Sequence, residues 1–112
     1  MDEQAARERL HGRDLPRLPW LAETQPHDAY TLIRQALWRA NTDPAALDIP
    51  ADLLAAIALL AAARAELDQV EAGLLFVARA EGLTWSQIAP ALGLRTAQAA
   101  QQRHERVLGR LA

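Results

Sequence analysis

The sequence predicts an all-α protein, a small helical bundle ending in a trihelical helix-turn-helix unit. Three observations carry that prediction. Half the residues are apolar, yet only five are aromatic and roughly a fifth are Ala, a residue of high helix propensity that lets helices pack closely. From Leu53 to Val77 apolar residues recur every three or four positions, the period of a helix face rather than of a strand. Between Gly82 and Val107, helix-start and helix-stop residues alternate at short range.

In chain order, residues 2–11 (DEQAARERLH) place acids early and bases late, which suits a helix macrodipole. Residues 12–26 (GRDLPRLPWLAETQP) contain three prolines, so an extended connector anchored by Trp20 is expected. Asp28 can cap a helix from Ala29 to Ala40, with Leu32, Ala36 and Ala40 on one face, Ile33 and Leu37 beside them and Trp38 flanking. NTDPAALDIP reads as a loop or brief turn, and Pro50 suits a first helical turn.

Residues 51–81 carry one apolar stripe: Leu53, Ile57, Leu60, Ala63, Leu67, Val70, Leu74 and Val77. Leu53, Leu60, Leu67 and Leu74 repeat every seventh residue, so a homodimer zipper is one reading. A core helix of a monomeric bundle is the other, and it is favoured because Leu54, Leu59, Leu75 and Phe76 widen the stripe. One helix or two are both compatible with the pattern, with Arg64 to Asp68 as the place for a corner. Glu66, Asp68 and Glu71 read as a solvated face.

In the last third, Thr84 and Gln87 form a capping box, so a helix starts near Trp85. Gly93 follows Ile88, Ala89 and Leu92 and supplies the left-handed residue that ends it. Thr96 caps the next helix, expected to run to about Leu108. Its apolar side collects Ala100, Val107 and Leu111, and its opposite side Arg95, Gln98, Gln102 and Arg106, flanked by Gln101, Arg103 and Arg110. Gln amides can pair with adenine edges, and Arg with guanine or phosphate. Gln98 and Gln102 are therefore the first expected base contacts, followed by Arg95, Thr96 and Gln101, with Arg103 and Arg106 on phosphates.

Leu83 to Leu94 resembles the second helix and turn of sigma-factor region 4 domains and of small actinobacterial helix-turn-helix regulators and nucleoid-associated proteins. TAQAAQQRH at 96–104 is similar to their recognition helices, and the likeness extends over residues 67–108. It implies a trihelical fold, insertion of the last helix into the major groove, and a role in transcription or chromosome organisation. By that pattern Ile88, Ala89, Leu92 and Ala100 are core, Gly93 is the turn, and Thr96, Gln98, Gln101 and Gln102 read bases. Pro90 inside the second helix and Arg95 as an extra turn residue depart from it.

The charge pattern agrees with a local interface. Net charge is −2, but residues 1–82 hold 13 acids against 8 arginines, whereas residues 83–112 hold one acid against four arginines. The expected organisation is a helical and connector region at 1–49, then a long helix with the helix-turn-helix DNA-binding domain at 50–112. Double-stranded DNA is the expected partner. The alternative is a protein-interaction module or helical oligomer that docks a transcription partner without touching DNA.

Other chemistry finds no signature. Cysteine is absent, which removes disulfides and thiolate sites. His11, His27 and His104 lack metal-ligand spacing and read as surface or partly packed residues. Ser86 has no evident base, and no glycine-rich phosphate loop occurs, so neither an enzyme nor a cofactor is expected. The apolar run at 53–63 is too short to cross a bilayer, and the N-terminus opens on charge, so a soluble cytoplasmic, nucleoid location is expected.

Overall fold

The computed structural model describes residues 2–11 and 26–112; the connector expected between them, Trp20 included, lies outside the described residues. The described residues form six helices and no strand: α1 (Glu3–His11), α2 (Ala29–Thr42), α3 (Ile49–Ala58), α4 (Leu60–Ala80), α5 (Trp85–Ala91) and α6 (Ala97–Leu111). They form two compact units, residues 1–66 and 67–112. The division falls inside α4, and Ala55, Ala56 and Leu59 belong to the core of the first unit.

The first unit follows its local signals closely. Asp28 accepts the Thr31 N–H at 3.0 Å and starts α2, and Pro50 stands in the first turn of α3, where its missing N–H costs nothing. α2 runs on to Thr42, whose hydroxyl donates to the Trp38 carbonyl at 2.8 Å. Its buried face is Ala29, Leu32 and Ala36; Leu37 and Trp38 are exposed. The core joins these residues to Ala6, Leu10, Ala55, Ala56 and Leu59. Small alanine side chains bring the helix backbones together, while Leu10, Leu32 and Leu59, fully buried, supply about 1.5–3 kcal/mol each by leaving water.

A carboxylate sits within this apolar unit. Asp52 is fully buried and accepts from Arg9 Nε and from Arg39 Nη1, each at 2.6 Å. Two guanidinium groups therefore compensate its desolvation. Glu66 accepts the Ala29 N–H through both oxygens, at 2.8 and 3.0 Å, and also an Arg7 N–H at 3.1 Å. It thus serves the N-terminus of α2 from a distant helix.

The region 51–81 is two helices, but the break comes at Leu59 rather than at Arg64 to Asp68. Leu59 N–H turns back to the Ala56 carbonyl at 3.1 Å, and Ala63 N–H resumes on Leu59 at 2.9 Å. No Gly or Pro marks this tightened step. Leu59 is fully buried, so its place in the core coincides with the step.

In the second unit, α4 ends on Gly82 at φ 92° and α5 on Gly93 at φ 75°. Both ends have the same bonding: Leu83 N–H to Ala78 O (3.0 Å) with Gly82 N–H to Arg79 O (3.0 Å), and Leu94 N–H to Ala89 O (2.8 Å) with Gly93 N–H to Pro90 O (2.9 Å). These are paired Schellman closures, which require a left-handed residue and so favour glycine. Pro90 stands one residue before the end of the seven-residue α5, where it forgoes the N–H bond to the Ser86 carbonyl. Leu75, Ile88, Ala89, Ala100 and Val107 are the buried apolar residues of this unit.

Candidate nucleic-acid interface

α5 starts with the expected capping box. Thr84 Oγ1 accepts the Gln87 N–H at 3.2 Å, and Gln87 Oε1 accepts the Thr84 N–H at 2.8 Å. After the Gly93 turn, Thr96 begins α6 by accepting the Ala99 N–H at 3.0 Å. α5 and α6 pack on each other. Their contact includes the tilted rings of Trp85 and His104, 5.4 Å apart, with the Arg79 guanidinium 5.2 Å from the Trp85 ring. Ile88, Ala89 and Ala100 are buried and Leu92 half-buried.

α6 is consequently two-sided. Ala100 and Val107 face inward, whereas Arg95, Thr96, Gln98, Gln101, Gln102 and Arg106 are all exposed. Gln98, Gln102 and Arg106 fall on one side of the helix at about 100° per residue, and Gln101 borders them. Among the described residues, none of these side chains is spent on a partner within the chain, except the Thr96 hydroxyl that caps the helix.

Arg103 is placed differently. Its Nε and Nη2 donate to the two Glu71 oxygens at 3.1 and 2.8 Å, a forked pair across to α4. Arg110 makes the same fork on Asp68, at 2.9 and 3.0 Å. The hydrogen bond to Glu71 raises the proton affinity of Arg103, and the same bond holds the Glu71 carboxyl below its ordinary range. Asp68 is lowered and Arg110 raised by their mutual hydrogen bond. Glu66, Asp68 and Glu71 are thus not a solvated face: each is the partner of an arginine from another helix. Sequence reasoning missed these pairings because the partners lie 32 to 59 residues away.

Of the four C-terminal arginines, Arg95 and Arg106 have no carboxylate partner among the described residues. Glu105 is exposed on the same side as Gln98 and Gln102. The face therefore carries three amides and little net charge. Its chemistry suits hydrogen bonding to base edges more than clamping of phosphates.

Elsewhere, His11 and His27 come together, ring centroids 5.6 Å apart, which their spacing in the chain did not suggest. No group of three His, Asp or Glu able to hold a metal ion occurs among the described residues. No described helix is long and apolar enough to cross a membrane.

Comparison with known proteins identifies no relative: no protein-family model, no curated protein and no solved structure matches this chain.

Proposed function

We propose that the chain is a sequence-reading DNA-binding protein, a transcriptional regulator or nucleoid-associated protein and not an enzyme. In this reading α5, the Gly93 turn and α6 act as a helix-turn-helix, and α6 enters the major groove. The observation that carries it is the uncommitted, exposed polar face of Gln98, Gln101, Gln102 and Arg106 on a helix whose other side is buried through Ala100 and Val107. Gln98 and Gln102 are assigned to base edges, with Arg95, Thr96 and Gln101 beside them, and Arg106 to phosphate. Arg103 is assigned a structural role on Glu71 before any role on DNA.

The alternative, a protein-interaction module or helical oligomer that leaves DNA alone, has one observation in its favour: α4 exposes Leu67, Val70, Leu74, Phe76 and Val77. A mobility-shift titration with random duplex DNA at two salt concentrations separates the two readings. A shift that weakens with salt is expected, and no shift at low salt from folded protein would overturn DNA binding. Gln98→Ala and Gln102→Ala should relax preference at particular bases, each good bidentate contact being worth about 1–3 kcal/mol of discrimination. Arg106→Ala should weaken binding to all sequences alike.

A further inference from the structure

We propose that Glu105 is a specificity-determining residue of the α6 face and selects cytosine in the bound duplex; this rests on the DNA reading above and deepens it. Glu105 is the one acid in residues 83–112. It is exposed, and at about 100° per residue it falls within about 20° of Gln98 and about 60° of Gln102, nearly opposite the buried Val107. The stripe assigned to base edges therefore ends in a carboxylate.

Glu105 differs from the carboxylates that hold the fold together. Asp52, Glu66, Asp68 and Glu71 each accept from an arginine, whereas among the described residues Glu105 has no such partner. Its neighbours at helical spacing are Gln101, Gln102, Leu108 and Gly109, none of them basic. Arg106 is adjacent in sequence but points about 100° away. An unpaired carboxylate on a face that meets a polyanion lowers affinity for every duplex. Only a donor on a base edge offsets that repulsion.

The amides and the carboxylate have different base partners. A Gln amide offers one donor group and one acceptor and so matches adenine N6 and N7, whereas a carboxylate offers acceptors alone. In the major groove guanine presents N7 and O6 and thymine O4, all acceptors that repel it. Adenine sets its N7 acceptor beside the N6 donor, and cytosine presents the N4 donor alone. Glu105 is thus matched to cytosine and opposed to guanine and thymine. It stands seven residues after Gln98, about 10.5 Å along the helix axis, which corresponds to about three base pairs at about 3.4 Å per step.

Selection of bound duplexes from a randomised pool by the full chain is expected to enrich cytosine at one position, about three base pairs from a selected adenine. Competition titrations should favour cytosine over guanine there by about fivefold or more, the lower end of what one good base contact discriminates. Glu105→Gln supplies an amide and should move the preference at that position from cytosine to adenine; Glu105→Ala should abolish it. Both variants should keep the other selected positions, bind a random duplex more tightly than the wild type, and retain the helical circular dichroism, because the site is exposed. Wild-type preferences at the Gln98 and Gln102 positions with no cytosine that responds to Glu105 overturn this inference and leave DNA reading standing. A gain in affinity that is equal on every sequence does the same, because it places Glu105 outside the groove. Failure of the wild type to shift any duplex at low salt overturns both.

Discussion

Two of the four C-terminal arginines are held by carboxylates, and this makes the salt dependence of the proposed DNA binding a quantitative test. Each phosphate neutralised contributes a slope of about −0.9 in log K against log salt, so Arg106 on phosphate, with Arg95 as a cation beside the bases that also displaces counterions, predicts about −1.8 per bound chain, whereas all four arginines predict about −3.6. Between 50 and 200 mM salt the first case loses about 12-fold in affinity and the second about 150-fold. Glu71→Gln removes the charge that holds Arg103 and should steepen the slope to about −2.7, with tighter binding at low salt. The side chain of Arg103 is 37% exposed, so water screens the pair and its loss costs at most about 1 kcal/mol of stability. Folding should survive the change. The assay is fluorescence anisotropy of a labelled duplex titrated at four salt concentrations, with slopes normalised to the number of chains bound. A wild-type slope near −3.6 that Glu71→Gln leaves unchanged would refute the reasoning, because it would mean that both ion pairs open on DNA.

Three further outcomes follow from the two units. Asp52→Ala leaves Arg9 and Arg39 without the carboxylate they share and should cost about 3–5 kcal/mol in urea unfolding, as for other buried pairs that lose one member; a loss below about 1 kcal/mol would show that the pair is not structural. Gly93→Ala meets no steric obstacle but must hold φ 75°, so thermal unfolding should show a loss of about 1–2 kcal/mol from backbone conformation alone, and an unchanged melting temperature would contradict the Schellman closure. Asp68 and Glu71 have carboxyls lowered from ordinary values of 3.8 and 4.5. A depressed folded value means that their stabilisation is present above those ordinary values and is lost as pH falls through the folded ones. Melting temperatures should therefore decline as pH drops below about 4.5, and the Asp68→Asn, Glu71→Gln double variant should show a shallower acid decline. The same decline in that variant would assign it to other carboxylates.

What the sequence determined by itself is the set of features written within four or five residues. The Thr84 and Gln87 capping box, the Asp28 and Thr96 caps, Pro50 in a first turn and Gly93 at a helix end were all legible, because a cap or a left-handed turn is chemistry between near neighbours. The two-sidedness of α6 was legible for the same reason: helical period alone separates Ala100 and Val107 from Gln98 and Gln102. Tertiary structure decided the rest. It turned Glu66, Asp68 and Glu71 from expected surface charges into partners of Arg7, Arg110 and Arg103, and so removed Arg103 from the set of free cations. It moved the helix break to Leu59, where burial and not a breaker residue marks the site. It also left Leu67, Val70, Leu74 and Val77 of α4 exposed. Periodicity shows that a face is apolar, but only the positions of distant helices decide whether that face is covered, and by what.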